Sequence, residues 1–283
     1  MNKELLAEKI EKASFARESV KTVSWLFLRD LAAEHGISLK DAERIALKNG
    51  VCPDRYLKNL GTLGLDGQKR LFSSRAAVIG CGGLGGLIVE LMARAGVGEL
   101  LLVDGDRFSA DNMNRQVLCK EMDIGRPKAE VAAERVKDVN GAVEATALCD
   151  YLTQDNAFSV ISGCDVAVDA LDSNSARSLL KQACEKAGIP MVHGAIGGFW
   201  GQACVLESAD TAPWEFSEKN VDHGVETQTG NPPFTASFIA SLQASEAIRF
   251  LAGIDAPMKS LFWCDLDAHQ FQMIPINPPE KGA

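Results

Sequence analysis

The stretch Ala76-Ala77-Val78-Ile79-Gly80-Cys81-Gly82-Gly83-Leu84-Gly85 constrains this chain more than any other. Four apolar residues of strand character run straight into the spacing G-x-G-x-x-G, and a segment of helical period follows from Leu84 to Arg94. In such a turn the first glycine reverses the chain, the second lets a phosphate reach the backbone, and the third lets helix lie on strand. The free amides and the dipole at the helix start favour an anion. At the end of the next strand-like run, Glu99–Val103, stands Asp104, 19 residues beyond Gly85. A carboxylate there can accept both ribose hydroxyls. Gly80, Gly82, Gly83, Gly85 and Asp104 are therefore candidate nucleotide ligands; a glycine turn packed only for helix–strand contact is the structural alternative.

The same alternation continues along the chain. Strands are expected at Ala76–Ile79, Glu99–Val103, Val143–Leu148, Val166–Asp169 and Met191–His193. Helices are expected between them at Leu84–Arg94, Lys128–Val139, Asp155–Ser162 and Ser175–Ala187. Strands separated by helices make right-handed βαβ units, hence a parallel sheet covered on both faces. The expected class is α/β, a Rossmann-like, doubly wound, mostly parallel sheet. A helix over about Phe234–Leu251 and strand-like runs at Ser260–Cys264 and Gln270–Ile274 follow.

Residues 1–52 read as a separate helical module. Ser38-Leu39-Lys40-Asp41 has the form of a capping box, and Gly50 can close that helix in the left-handed conformation. It reads equally well as a docking or dimerisation element and as a cap on the main domain, 53–283. Residues 207–233 break the pattern, with six acidic side chains against one Lys219 and three prolines. A stretch of that length without periodicity is expected to be a mobile crossover loop with a function. Its acidity could select a basic partner surface.

Composition excludes several classes. The net charge is −9, so the chain gains nothing from counterion release on a nucleic-acid backbone, and non-specific binding to one is not expected. The unbroken apolar runs are short, such as Leu100–Val103, far from the ~20 residues of a spanning helix. The N-terminus alternates charges where a signal peptide needs an apolar stretch, so no membrane association and a cytoplasmic location are expected. None of the eight cysteines forms a CxxC pair, so no zinc site is expected and small buried thiols are.

Beyond Asp104, the run Asp106, Asn112, Arg115, Gln116 and then Lys128 sets this site apart from a redox dinucleotide site. An arginine fork and a mobile lysine charge suit a triphosphate. Asp169 and Asp172 close the strand Val166–Asp169 at the carboxyl end of the sheet, where ligands bind in open α/β folds. Asp172 can hold Mg²⁺ between phosphates, or cap the helix that follows. Asp169 and His193 read as structural residues, though His193 and its neighbouring glycines could lie along a peptide substrate. Trp200 reads as core or interface.

Taken in order, GCGGLG, VDGD, SADNMNRQ, GRPKAEVA and DALDSN resemble the ubiquitin-activating-enzyme-like superfamily, in particular its ThiF/MoeB/HesA branch. The late LQASEAI, and the early RYLKN followed by Gly67-Gln68, resemble the same branch, and the likeness spans roughly residues 53–276. The resemblance implies ATP-dependent adenylylation of the C-terminal Gly-Gly carboxylate of a small ubiquitin-fold sulfur-carrier protein. That chemistry serves molybdopterin, tungstopterin or thiamine-type cofactor synthesis. It further implies ribose binding by Asp104, phosphate binding by Asn112, Arg115 and Lys128, and Mg²⁺ at Asp172. Arg115, Lys128 and Asp172 would be the catalytic set. A homodimer is implied, with a basic residue of the early motif, Arg55 or Lys58, crossing to the partner's site.

The chain departs from the branch in three ways. Lys58 stands where the family usually has arginine, the zinc pairs of many relatives are missing, and 207–233 holds no cysteine. Adenylylation without a thioester or persulfide in that loop is implied, with Cys119 or Cys204 left open for a later step. Three other readings stand beside this one. They are adenylylation of a tRNA-borne or small-molecule carboxylate, as in the threonylcarbamoyl-adenosine dehydratase type, a non-catalytic scaffold, and an NAD-dependent oxidoreductase. The last leaves Arg115 and Lys128 unexplained.

Overall fold

The structure is a computed structural model that describes residues 3–17, 20–208, 210–216, 222, 224, 226–254 and 258–277. The chain opens with α1 (Lys3–Ala13), β1 (Phe15–Arg17), β2 (Val20–Val23), α2 (Trp25–His35), α3 (Leu39–Lys48) and β3 (Cys52–Pro53). The N-cap half of the expected capping box is made, with Asp41 N donating to Ser38 Oγ at 3.0 Å, while the Asp41 carboxylate accepts from the Ser38 hydroxyl at 2.7 Å rather than from the Ser38 backbone amide. Gly50 takes φ +77° just past the helix end. The helical reading of this module needs one correction, because β1, β2 and β3 form a three-stranded sheet within it. Strands of two to four residues are too short to show an alternation in sequence.

The main body follows as α4 (Leu60–Ser73), β4 (Arg75–Ile79), α5 (Gly85–Ala95), β5 (Glu99–Val103), α6 (Lys128–Val139), β6 (Glu144–Leu148) and α7 (Ala157–Ile161). It continues as β7 (Val166–Asp169), α8 (Asn174–Ala187), β8 (Met191–Gly197), β9 (Trp200–Leu206), α9 (Glu226–Thr229), α10 (Pro233–Ala252), β10 (Ser260–Asp265) and β11 (Gln270–Pro275). One eight-stranded sheet has the order β11-β10-β9-β8-β7-β4-β5-β6. Strands β6, β5, β4, β7 and β8 are parallel, and β9, β10 and β11 add antiparallel. The chain runs outward from β4 to β5 and β6, then crosses back to β7 on the other side of β4. That reversal opens a crevice beyond the carboxyl ends of β4 and β7.

Alternate residues of the central strands feed two cores. Ala76, Val78, Leu100 and Leu102 pack with Ile88 and Met92 of α5 on one face. Ala77, Ile79, Leu101 and Val103 pack with Leu180 and Ala183 of α8 on the other. Each fully buried aliphatic side chain contributes roughly 1.5–3 kcal/mol. Strand β8 runs four residues beyond the expected His193 and turns into β9, which the sequence reading did not anticipate. The glycines that hid this hairpin serve packing: a Cβ on Gly194 would stand 2.2 Å from Gln243, and one on Gly201 2.5 Å from Ile239, both on α10.

The N-terminal module is joined to the main body by apolar and polar contacts. Leu47, Cys52, Tyr56, Phe72 and Ala142 form one buried cluster across the boundary. Buried Tyr56 donates to Glu43 Oε2 at 2.9 Å and accepts from Asn140 Nδ2 at 2.9 Å. Buried Lys40 donates to Glu99 Oε1 and Glu144 Oε2, each at 2.7 Å, at the N-terminal ends of β5 and β6. No helix among the described residues is long and apolar enough to cross a membrane.

Candidate active site

The crevice beyond β4 and β7 is a cavity of ≈ 540 Å³ into which Gly80, Gly82, Asp104, Lys128 and Asp172 all face. The four motif glycines serve it differently. Gly80 takes φ +96°, and a Cβ there would meet Ala170 O at 2.5 Å. A Cβ on Gly85 would overlap Gly80 O at 1.8 Å. At Gly82 and Gly83 the nearest neighbours of a Cβ are the Gln116 amide and Arg115 Cγ, both at an ordinary 3.5 Å. The protein itself therefore needs the two outer glycines, while the inner two leave open space over the helix start.

Asp104 sits at the end of β5 and closes the turn. Its Oδ2 accepts from Cys81 N at 2.7 Å and its Oδ1 from Asp106 N at 2.8 Å. Burial pushes its carboxyl above the ordinary range despite those bonds. Lys128, the first residue of α6, is 9% exposed in its side chain, and Nζ lies 2.9 Å from Asp106 Oδ2. Partial burial pushes the Asp106 carboxyl up, but hydrogen bonds from Tyr151 and Lys128 and the lysine charge outweigh it, so the net direction is down. Lys128 is thus a sheltered cation, in contrast to a solvated first-turn lysine.

Asn112 is buried, and its Oδ1 accepts from Ser109 N at 3.2 Å. Arg115 donates from Nη1 to Asp111 O at 3.1 Å and Asn114 Oδ1 at 2.9 Å. Gln116 is buried with Oε1 lacking a hydrogen-bond partner, and it borders the same cavity. Asp172 is exposed at the cavity wall, and the cap of α8 falls instead to Ser173, whose side chain accepts from Ala176 N. Among the described residues no three metal-ligating side chains cluster. Magnesium needs only one or two carboxylates beside phosphate oxygens, so a lone Asp172 fits that ion with a nucleotide present.

Arg55 and Lys58 do not line this cavity. The Arg55 guanidinium lies 3.2 Å from Glu43 Oε1, donates to Asn140 Oδ1 and sits 5.0 Å over the Trp25 ring. It is held within its own chain. Lys58 is exposed.

Asp169 and His193 form a fully buried pair, Nδ1 to Oδ2 at 2.6 Å, and neither borders the cavity. Burial pushes the imidazole down, against the pull of Asp169. Trp214 covers the ring edge-on at 5.0 Å and donates to Ser178 Oγ at 3.0 Å. Trp200 is no core residue: it is 44% exposed, with Nε1 donating to Asp265 Oδ2 at 2.8 Å.

The segment 207–233 is anchored where it is described. Ala212 is fully buried, and the Asp222 carboxylate and carbonyl accept from Ser175 N and Asn174 N, each at 2.8 Å. Residues 209, 217–221, 223 and 225, including Glu218 and Lys219, lie outside the described residues. Glu215 accepts from Ala212 N and lies 3.6 Å from Lys181, so part of the acidity is used internally.

Three residues the sequence reading passed over also border the cavity: Tyr151, Arg177 and Asn231. Tyr151 follows β6 at the carboxyl edge, a position that topology alone could have singled out. Arg177 donates to Leu171 O at 2.7 Å and Asn174 Oδ1 at 2.9 Å, bracing the loop that carries Asp172. All eight thiols are pushed above their ordinary range, mainly by burial, so none is a ready thiolate. Cys204 is fully buried.

The chain is similar to known proteins in sequence and in fold. It is 43% identical over 155 residues to the SAMP-activating enzyme E1 of Haloferax volcanii, a match covering 54% of this chain and 57% of that enzyme. It is 32% identical to the sulfur carrier protein ThiS adenylyltransferase of Escherichia coli, over 77% of this chain and 88% of that one. It is 34% identical to the sulfur carrier protein adenylyltransferase of Thermus thermophilus, over 72% and 80%. In fold it resembles E. coli MccB, crystallised with ATP, with a TM-score of 0.70, 19% identity and coverage of 90% of this chain and 83% of that one. The ThiF family model matches residues 54–282, which take in the glycine turn, the Asp104–Lys128 cluster and the Asp172 loop. This chain belongs to the ThiF family.

Proposed function

We propose that the chain uses ATP to adenylylate the C-terminal Gly-Gly carboxylate of a small ubiquitin-fold sulfur-carrier protein. The chain is an adenylyltransferase; the carrier, its tail and the residue roles are the proposal. One observation carries it: the glycine turn, Asp104, Asn112, Arg115, Gln116, Lys128 and Asp172 line one cavity at the sheet's reversal point. The named activities of the Escherichia coli and Thermus thermophilus relatives support the carrier class.

In the proposed reaction a carboxylate oxygen attacks the α-phosphorus of ATP. A carboxylate–phosphorus bond forms, the bridge to the β-phosphate breaks, and pyrophosphate leaves with that electron pair. Asp104 takes the ribose, and the open space at Gly82 and Gly83 takes phosphate at the start of α5. Arg115 and Lys128 neutralise charge, Lys128 exchanging Asp106 for phosphate oxygens. Asp172 would hold Mg²⁺, and a divalent cation there would supply further neutralisation of phosphate charge. Alignment and fixed charge do the chemistry, and no side chain acts as a covalent nucleophile.

The proposal extends to a cytoplasmic homodimer serving molybdopterin-, tungstopterin- or thiamine-type cofactor synthesis. In that dimer a basic residue of the early motif, Arg55 or Lys58, reaches the partner's site, and Arg55 would have to leave Glu43, Asn140 and Trp25 to do so. Pyrophosphate–ATP exchange tests the reaction. Full chain, Mg²⁺ and a Gly-Gly-ended carrier should exchange label, and removing the carrier's last glycine should abolish it. Lys128→Ala and Asp172→Ala should each lower exchange by about 10²- to 10³-fold, the usual loss for one charge-stabilising group. Full exchange in both variants would overturn the site assignment.

A further inference from the structure

We propose that a second cavity, beside the nucleotide site, takes a lysine or arginine side chain carried by the substrate protein shortly before its C-terminus, a specificity role that rests on the adenylylation reading above. This cavity of ≈ 650 Å³ lies between the tip of the β8–β9 hairpin, the start of α10 and the β10–β11 turn. Phe199, Trp200 and Phe234 border it, together with Asp265 and Asp267. Asn231 borders both this cavity and the nucleotide site, so the two are neighbours.

The lining selects the ligand. Folding leaves Phe199, Trp200 and Phe234 each close to half exposed, although Phe199 and Phe234 stand only 5.1 Å apart between ring centroids. The indole is fixed, because Trp200 and Asp265 face each other on β9 and β10 and Nε1 donates to Asp265 Oδ2 at 2.8 Å. Asp265 Oδ1 accepts from Asp267 N at 3.0 Å and Ala268 N at 3.1 Å. The Ala268 amide and the Trp200 indole hold the Asp265 carboxyl below its ordinary range, so it is charged at neutral pH. Asp267 adds an exposed second carboxylate. Among the described residues no lysine or arginine borders the cavity to answer these charges. A purely apolar ligand would use the rings and leave the acids idle, and an anion would be repelled. A cation on a long aliphatic stem uses both, its stem along the rings and its head over a ring face beside the carboxylates.

The position fits a protein tail. A chain whose terminal carboxylate reaches the nucleotide site brings its preceding residues past Asn231. The buried Asn231 Oδ1 has no donor among the described residues and is left to accept an amide N–H from that passing segment. Asp222 and Glu226 border the nucleotide site on the same route, so the acidic lining continues and favours a basic segment by complementary charge.

Fluorescence anisotropy of the full chain with labelled hexapeptides ending in Gly-Gly tests the cavity. In the series a single arginine moves through the positions before the glycines of an otherwise all-alanine peptide. At one position or two adjacent ones, arginine should tighten binding by about 5- to 30-fold over the all-alanine peptide, the range for a cation on a partly to fully desolvated aromatic face. Asp267→Lys, a change at an exposed position, should erase that preference, and Phe234→Leu should reduce it, while both bind the all-alanine peptide as the parent does. The absence of an arginine preference at every position, or a preference unchanged in both variants, overturns the cavity's role. A dimer that Phe234→Leu dissociates, with no arginine preference, would show a second copy on this surface and overturns it too. Pyrophosphate–ATP exchange with a Gly-Gly-ended carrier, run alongside, separates the two readings. Exchange without an arginine preference overturns the cavity alone, and no exchange in the parent overturns the adenylylation reading with it.

Discussion

At the scale of single residues, the site stores charge in a ligand-ready form. Lys128 is buried against Asp106, so the phosphate role proposed for it would be an exchange of one anion for another rather than desolvation at the moment of binding. Away from the site, Glu43 is fully buried beside Arg55 and Tyr56, and burial, opposed by those two groups, pushes its carboxyl up to about 7. An acid whose folded pKa lies above its unfolded one binds more protons when folded between those values. Its stabilising share is complete below about pH 4.3 and is lost as the pH climbs to about 7, at most roughly 4 kcal/mol. Melting temperature against pH should therefore fall across that window in the parent chain and stay flatter in Glu43→Gln. Equal slopes would show that Glu43 folds ionised. The residues of the cavity were largely legible beforehand, since glycine spacing, strand-end acids and a first-turn lysine each state their chemistry in one residue type. Tyr151 and Arg177 were not, because a tyrosine or an arginine acquires its meaning only from the strand order that places it. The contacts of Arg55 within its own chain were not legible either, because its partners, Glu43, Asn140 and Trp25, are distant in the chain.

Among the elements, the alternation of β4 to α8 was legible because buried parallel strands and amphipathic helices differ in period. The β8–β9 hairpin was not, because glycines that make room for α10 read as loop. The segment from 207 to 233 shows the same limit. Its prolines and acids suggested a free loop, yet Trp214 seals the buried His193–Asp169 pair and Asp222 holds the first amides of α8. Trp214→Ala should cost about 3 kcal/mol or more, the usual loss for a packed aromatic, and should speed proteolytic cleavage within 207–233. Melting curves and timed digestion would check both, and unchanged cleavage would mean that other contacts hold the segment.

The molecule as a whole joins its N-terminal module to the sheet through a common apolar cluster and through Lys40 between Glu99 and Glu144. Module and sheet should therefore unfold in one calorimetric transition, and deleting residues 1–50 should leave a chain without cooperative melting. A separate early transition would assign the module its own stability. The net charge of −9 does not describe the interior, where lysine and arginine are bound by carboxylates within the fold. The glycine turn, finally, separates what the fold requires from what the ligand requires. Gly80 and Gly85 are demanded by neighbouring backbone, whereas a methyl group at Gly82 would touch protein only at ordinary contact distance. Gly82→Ala should consequently melt like the parent while losing ATP binding, as thermal scans and titration would reveal. Under the proposed function such a protein would be a decoy, able to hold a carrier it cannot charge and so to capture the encounter before chemistry begins.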